Sequence, residues 1–172
     1  NDTNTDCATG EVGEIWIRSA QVMAGYWKNP EETAKAITKD KWFKSGDAGY
    51  VDADGYVYIN DRVKDMIVSG GENVYPAEVE NVLMSHPCIA DVAVIGIPHE
   101  KWGETALAIV VRAADTEVTE QEIISFSHER LAKFKCPTQV AWIDVLPRNP
   151  SGKVLKKDLR ERYWAGRERR VN

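Results

Sequence analysis

Residues 61–76 read DRVKDMIVSGGENVYP, and this stretch joins two parts of the chain that differ in character. It begins with a cluster of charged residues and continues through a short apolar run, residues 66–68. Residues 69–73 include two consecutive glycines and have the composition of a turn between two extended segments. Pro76 then begins a predicted helix over residues 77–85, because the first helical turn is where a missing N–H matters least.

The part before this stretch, residues 1–63, carries signals for strands and one helix. Residues 14–18 alternate as a strand, and residues 49–51 and 56–60 are predicted to form a hairpin around the turn residues 52–55. A piece with two or three strands is only marginally stable by itself. We therefore expect residues 1–63 to be the mostly β end of a larger domain that lies upstream.

The part that follows, residues 64–172, has the pattern of a small α+β domain. Residues 90–97 and 105–113 read as buried strands rich in Val, Ile and Ala, and residues 139–145 as a third strand. A last helix is predicted over residues 156–165. We expect a three-stranded sheet flanked by helices, in a complete domain that can fold independently.

Capping residues mark two of the predicted helices. Asn29 is the expected N-cap of a helix over residues 30–37, which begins with proline and two glutamates. Thr119 is the expected N-cap of a helix over residues 119–133, and Glu122 completes a capping box.

The sequence predicts no metal site. The acidic turn at residues 52–55 begins like a calcium loop, but Val63 occupies the twelfth position, where such a loop needs Glu. The three cysteines, Cys7, Cys88 and Cys136, are widely spaced and form no CxxC pair, which argues against a zinc site and a disulfide framework. We interpret them as reduced thiols and predict a cytoplasmic protein.

Composition and charge exclude two classes of partner. A net charge of −5 gives no general reason to expect nucleic acid, and no apolar run approaches the ~18 residues of a membrane span. The charge is uneven, however, because residues 148–172 contain nine Lys or Arg against three acidic residues. This segment is either a solvated amphipathic helix or a surface for the phosphates of a cofactor.

The loop before the last predicted helix, residues 147–153, reads PRNPSGK. It is not a Walker loop, because it lacks the first Gly and the Ser or Thr after Lys. A mobile ammonium placed between two anions lowers their repulsion as they react. Lys153 has the compact charge and long stem that suit this task.

Two further charged residues suit a nucleotide. Asp47, which follows Ser45-Gly46 just before a predicted strand, can accept two hydrogen bonds at once from the paired hydroxyls of a ribose. Arg62 presents a planar donor fork for ribose oxygens or a phosphate. The competing interpretations are a turn residue for Asp47 and a surface ion pair with Asp61 or Asp65 for Arg62.

Taken together, these motifs resemble the adenylate-forming enzymes, the superfamily of acyl-CoA synthetases, peptide-synthetase adenylation domains and luciferases. The resemblance covers residues 10–164, and the WGE and FKCP motifs at residues 102–104 and 134–137 support it. It implies that the chain is the C-terminal portion of an AMP-forming acid–CoA ligase.

The resemblance also implies roles for single residues. Asp47 would hold the AMP ribose although Ser45 replaces the usual Thr, and Arg62 would contact the ribose although Asp61 replaces the usual Gly. Lys64 matches the hinge about which the small domain turns, and Lys153 matches the catalytic lysine.

The CoA site implied by the resemblance is the glycine turn. Gly70, Gly71 and Glu72 would line the pantetheine channel, and Lys135 could meet a CoA phosphate. A plain hairpin turn explains the two glycines equally well, but leaves the neighbouring matches unexplained.

For the whole parent enzyme, the resemblance implies two half-reactions. A carboxylic acid and ATP with Mg²⁺ would give an acyl-adenylate and pyrophosphate, and CoA would then displace AMP after rotation about Lys64. The phosphate loop and the magnesium site belong upstream, so the fragment alone is expected to be inactive. The sequence of residues 70–76, GGENVYP, suggests that the activated carboxylic acid is a fatty acid. Two alternatives stay open: a different acceptor, such as a carrier protein or oxygen, and a non-catalytic interaction module.

Overall fold

The computed structural model describes residues 5–166, and the chain divides into two compact units, the first ending at Val63 and the second beginning at Lys64. The division lies at the domain boundary predicted from the sequence. That the first unit is the end of a larger domain stays a prediction. Of the basic segment, residues 167–172 lie outside the described residues.

The first unit is a three-stranded antiparallel sheet with one short helix. Its strands are hydrogen-bonded in chain order. Asn29 caps the helix by accepting a hydrogen bond from the Glu32 N–H, as predicted. The elements are β1 (Gly13–Ile17), α1 (Pro30–Ala36), β2 (Phe43–Val51) and β3 (Val57–Arg62).

Strand β2 begins at Phe43, six residues earlier than the sequence predicts. Asp47 therefore lies within a strand and not just before one. The start of this strand is not apparent from the sequence, because the strand does not alternate regularly. Gly46 has φ +74°, and a bulge follows at Ala48 and Gly49. The predicted hairpin turn is present, with Asp52 Oδ1 accepting two backbone hydrogen bonds.

The second unit is built on a five-stranded sheet. β4 (Ile67–Ser69) and β5 (Glu72–Val74) form a short hairpin, and β6 (Ile89–His99) pairs with β7 (Gly103–Arg112) along its full length. The other edge of β7 pairs with β4 and with β8 (Gln139–Trp142), which runs parallel to it. The predicted α+β class is confirmed. The sheet is larger than the three strands predicted, because β4 and β5 are too short to show a strand period.

Three helices complete the second unit: α2 (Pro76–Met84), α3 (Glu120–His128) and α4 (Lys156–Trp164). The capping box of Thr119 and Glu122 at the start of α3 is present as predicted. Helix α3 ends five residues before the predicted end at residue 133. The chain instead closes a turn with a hydrogen bond from Leu131 N to Ser127 O, and then forms a single 3₁₀ turn, Lys133–Lys135.

Helices cover both faces of the second sheet. Residues alternate along β6 and β7 between two hydrophobic clusters, because successive strand residues point to opposite faces. One cluster packs beneath α2 and α3 through Val79, Leu83 and Ile123, and the other packs beneath α4 through Leu159. This core fixes the strands and helices from which the site loops project. Within the described residues, no helix is both long and apolar enough for a membrane span.

Candidate functional site

The structure brings Asp47 and Arg62 together in the first unit. They are directly opposite each other on β2 and β3, and Arg62 Nε lies 3.0 Å from Asp47 Oδ1. Arg62 Nη1 also donates to Ser45 O at 3.2 Å. Both side chains stay partly exposed, so the pair offers carboxylate oxygens and guanidinium donors side by side at the surface.

The backbone around Asp47 is held by a second carboxylate that the sequence did not suggest. Glu14 on β1 accepts from the Gly46 N–H at 3.0 Å and from the Trp16 indole N–H at 2.8 Å. The hydroxyl of Ser45 accepts from the Asp47 N–H at 3.0 Å. These bonds hold the backbone on either side of Asp47, whose carboxylate stays 32% exposed beside Arg62.

The predicted hinge residue begins the second unit. Lys64 is exposed and lies in a 3₁₀ turn, Val63–Asp65. The next residue is held firmly: Asp65 Oδ1 accepts from Arg160 of α4 at 2.9 Å, and both side chains are only 13% exposed. Arg160 also donates to Lys64 O at 3.4 Å. The chain is therefore tied to the second unit immediately after Lys64.

The glycine turn is a two-residue hairpin loop between β4 and β5. Gly70 and Gly71 have φ +62° and +92°, values that side chains with a Cβ rarely adopt. The turn is also held from outside, because the Gly70 N–H donates to Trp102 O at 2.9 Å. Gly71 and Glu72 are exposed, and a Cβ at Gly71 would meet no atom within 4 Å. The turn thus offers open backbone to a ligand.

Lys135 lies in a different environment from the one expected of a free phosphate ligand. Its ammonium donates to both carboxylate oxygens of Glu78 on α2, at 2.7 and 2.8 Å. The side chain is three-quarters buried. A CoA phosphate at Lys135 would have to share the ammonium with Glu78, which the sequence did not indicate as a partner.

Lys153 lies at the end of a tightly hydrogen-bonded loop between β8 and α4. Asn149 Oδ1 accepts from the backbone N–H groups of Ser151 and Lys153, at 3.1 and 2.9 Å, and from the Ser151 hydroxyl at 2.8 Å. The Asn149 N–H donates to Lys153 O at 2.9 Å. The Lys153 side chain itself is exposed, and within residues 5–166 its ammonium has no hydrogen-bond or ion-pair partner.

Arg148 ties the Lys153 loop to the sheet, a role that no sequence motif indicated. Its Nη1 donates to Gly152 O at 2.7 Å, and its Nη2 donates to Asp91 Oδ2 on β6 at 2.6 Å. The partners are 57 residues apart, so neither period nor spacing along the chain could have revealed them.

The predicted site residues thus form separate groups. Asp47 and Arg62 form one in the first unit, and Gly70, Gly71 and Glu72 form another in the second. Within the described part of the chain, no hydrogen bond or ion pair joins Lys153 or Lys135 to the glycine turn. The same residues contain no group of three or more His, Cys, Asp or Glu that could hold a metal ion.

Comparison with known proteins gives a consistent result. The family model for the AMP-binding enzyme C-terminal domain matches residues 78–153. A long-chain-fatty-acid–CoA ligase of Mycobacterium tuberculosis is 52% identical over 153 residues, which are 89% of this chain and 30% of the relative. A fatty acid–acyl-carrier-protein ligase of Streptomyces coeruleorubidus is 48% identical over 163 residues, 95% of this chain and 31% of the relative.

Solved structures agree with these relatives. The ATP-bound form of MatB from Rhodopseudomonas palustris superposes with a TM-score of 0.84 at 41% identity, over 91% of this chain and 31% of that protein. This chain therefore spans about a third of the length of the proteins that it matches. Residues 78–153 therefore belong to the family of the AMP-binding enzyme C-terminal domain, and the chain is similar to acid–CoA ligases over about nine-tenths of its length.

Proposed function

We propose that this chain is the C-terminal portion of an AMP-forming acid–CoA ligase. The parent activates a carboxylic acid as its acyl-adenylate and transfers the acyl group to CoA in the cytoplasm. Residues 1–63 are the end of the large adenylation domain, and residues 64–172 are a mobile domain that turns about Lys64. We take a fatty acid as the substrate from the sequence of residues 70–76; relatives named for fatty acids are 48 to 52% identical, and relatives named for feruloyl or 2-succinylbenzoate reach 48%, so the panel of acids decides.

One observation carries the proposal: Lys153 offers an unneutralised ammonium on a loop whose backbone is fixed. In acid activation, the carboxylate must approach the α-phosphate although both are anionic. An ammonium already paired with a carboxylate would have to break that pair first, whereas Lys153 has no partner among residues 5–166. A positioned cation of this kind stabilises the charge that develops between the reactants.

The other predicted residues take complementary roles in this proposal. Asp47 accepts from the ribose hydroxyls of ATP and AMP while Arg62 donates to the nucleotide. The exposed backbone of Gly70 and Gly71, with Glu72, lines the path of the CoA pantetheine arm. Lys135 meets a CoA phosphate only by sharing its ammonium with Glu78, so its contribution is smaller than that of an unpaired lysine. The magnesium ion that accompanies ATP is bound by the upstream part of the parent.

The first experiment measures AMP release by the full-length protein with ATP, Mg²⁺ and a panel of carboxylic acids, with and without CoA. The proposal requires AMP release that depends on both an acid and CoA, with fatty acids preferred. The purified 172-residue chain should give no pyrophosphate exchange. Exchange by this chain would contradict the assignment of the phosphate loop to an upstream region.

Replacement of Lys153 tests the residue on which the proposal depends. Lys153→Ala in the full-length protein is expected to slow acyl-adenylate formation about 10²- to 10³-fold, the usual effect of removing one preorganised charge or donor. Lys157→Ala, which removes another exposed lysine four residues further on, is the matched control and should leave the rate unchanged. Thioester formation from a supplied acyl-adenylate should survive in both variants. An equal loss in the two half-reactions would contradict the role of Lys153.

A carrier-protein acceptor is the second candidate, favoured by the identity of 48% to a fatty acid–acyl-carrier-protein ligase. Both candidates share the first half-reaction and differ only in the thiol that displaces AMP. Pyrophosphate release that needs the acid but ignores CoA, together with acyl transfer to a phosphopantetheinylated carrier protein, would favour this second candidate. Transfer to CoA alone would exclude it.

A further inference from the structure

We propose that Arg148 is a positioning residue for acyl-adenylate formation, acting through a brace that joins the Lys153 loop to Asp91 on β6. The brace consists of the Arg148 guanidinium, the Asp91 carboxylate and the Gly152 carbonyl. This inference rests on the proposed function, because it assigns Arg148 to the half-reaction in which Lys153 acts.

The contacts place the Arg148 guanidinium between a fixed strand and the residue before Lys153. Its two terminal nitrogens donate in different directions, to Gly152 O at 2.7 Å and to Asp91 Oδ2 at 2.6 Å. The brace therefore connects the backbone one residue before Lys153 directly to the central sheet.

Asp91 is itself held in the orientation that the brace needs. Its second oxygen, Oδ1, accepts from the Val92 N–H at 3.0 Å. It lies on β6 opposite Val111 of β7, and the neighbouring residues Val92 and Ala93 are buried in the two hydrophobic clusters. The carboxylate is thus attached to a strand whose next two residues are buried in the core of the second unit.

The remaining hydrogen bonds of the loop are local, and Val154, which follows Lys153, packs against the second hydrophobic cluster. Asn149 binds Ser151 and Lys153, and Pro147 O accepts from the Leu155 N–H, so all of these partners lie within residues 147–155. They preserve the shape of the loop but would move with it. On the other side of Lys153, the Arg148 side chain is what joins this loop to a distant strand by a hydrogen bond, through Asp91 on β6.

Arginine is the residue that can form this brace. Its planar fork holds two donors at a fixed angle, whereas the ammonium of lysine is a single point at the end of a flexible stem. Arg148→Lys is therefore expected to keep one of the two contacts at a time. Because displacement of a reacting group by about 1 Å can cost about 10² in rate, loss of the brace should be visible in catalysis.

The test uses Arg148→Met and Asp91→Asn in the full-length protein and measures each half-reaction separately. Arg148→Met should lower kcat for acyl-adenylate formation about 10- to 100-fold with the KM for ATP nearly unchanged. Asp91→Asn, which keeps the shape and an acceptor oxygen, should lower it about 3- to 10-fold. The double variant should be no slower than Arg148→Met, because both changes remove one brace. Thioester formation from supplied acyl-adenylate should stay within about twofold.

Arg130→Met is the matched control. Arg130 is 42% exposed, against 43% for Arg148, and it also donates to a backbone carbonyl and a carboxylate, those of Phe126 and Glu129. It lies far along the chain from the Lys153 loop, and its replacement should leave both half-reactions unchanged. Arg148→Lys should recover part of the adenylation rate.

Three results would overturn the proposal. The first is an unchanged adenylation rate in Arg148→Met while Lys153→Ala is slow, which would leave the proposed function intact. The second is an equal fall in both half-reactions with a lowered Tm, which indicates a purely structural role. The third is a raised KM for ATP in Arg148→Met with no effect of Asp91→Asn, which indicates direct contact with the nucleotide. Failure of the proposed function itself would appear separately, as full-length wild-type protein that releases neither AMP nor pyrophosphate with any carboxylic acid of the panel.

Discussion

Different interactions stabilise each of the two units of this chain. The second unit contains both hydrophobic clusters, in which strands are covered by helices on either face. In the described part of the first unit, Ala48 is the single hydrophobic residue that is fully buried, and β3 exposes Val57, Tyr58 and Ile59 in succession. Backbone pairing alone contributes little net stability when so little apolar surface is removed from water. Among the described residues, buried hydrophobic side chains are therefore concentrated after residue 64.

The largest difference in the free energy of unfolding should appear when the same apolar substitution is made in both units. Ile109→Ala, at a side chain with 0% exposure on β7, is expected to lower the free energy of unfolding by about 2–5 kcal/mol through lost burial and a residual cavity. Ile59→Ala, at a residue with 67% exposure on β3, should cost under about 0.5 kcal/mol. Denaturant unfolding of the 172-residue chain measures both. A cost for Ile59→Ala as large as that for Ile109→Ala would break the comparison.

Removal of an ion pair should also cost more stability in the second unit than in the first, although the difference should be smaller than for the apolar substitutions. In the second unit, Glu80 Oε1 accepts from Lys156 and from the Val94 N–H, both at 2.7 Å, and the pair is mostly buried. Lys156→Met leaves that carboxylate without its cation and should cost about 1–3 kcal/mol. In the first unit, Lys35 contacts Glu31 and Glu32 at an exposed site.

Lys35→Met is the control for this prediction, and it should leave Tm unchanged because exposed pairs contribute little. Thermal unfolding of the two variants at low and high salt gives the comparison. Salt should leave the effect of Lys156→Met largely intact, since a buried pair is weakly screened. A fall of Tm in Lys35→Met that matches that of Lys156→Met would contradict the comparison.

Removal of a helix N-cap should give the smallest difference in the free energy of unfolding between the two units. Thr119→Ala removes the N-cap of α3, which buries Ile123, and is expected to cost about 1 kcal/mol. Asn29→Ala removes the N-cap of α1, which buries no residue, so its effect on global unfolding should be smaller. Urea unfolding of both variants measures the two costs. Equal costs would show that α1 contributes to the same cooperative structure as α3.

The pH dependence of the α3 cap has a definite sign. Hydrogen bonds from Thr119, first from its backbone N–H and then from its hydroxyl, lower the pKa of the Glu122 carboxyl from its usual value. A group with a lowered pKa in the folded state adds stability above its unfolded pKa and loses it as pH falls through the folded value. The stability difference between wild type and Glu122→Gln should therefore be present at neutral pH and vanish in acid.

Much of the fold could be predicted because local signals were strong. The apolar runs of β6 and β7, the proline that begins α2 and the capping box of α3 each act through nearby residues, and all are found in the structure. The start of β2 could not be predicted, because a glycine at positive φ and a bulge obscure its period. The strands β4 and β5 are the two extended segments predicted around the glycine turn, but they are too short for periodicity to show that they join the main sheet.

The candidate site was predictable to a lesser extent. The pairing of Asp47 with Arg62 follows from a hairpin turn, a local feature, although the sequence indicated Asp61 or Asp65 as the ion-pair alternative. The partners of Lys135 and Arg148 each lie 57 residues away, and only the packed sheet brings them near. Long-range ion pairs of this kind leave no pattern in a single sequence.

The contact between Arg160 and Asp65 has a consequence for modularity. It joins the last helix of the second unit to the residue that follows Lys64, so the first and last elements of the unit are neighbours in space. Units whose ends lie close together tolerate circular permutation and insertion into other proteins. Residues 64–166 thus have the end-to-end proximity of an insertable module, whose two junctions with other sequence would lie side by side.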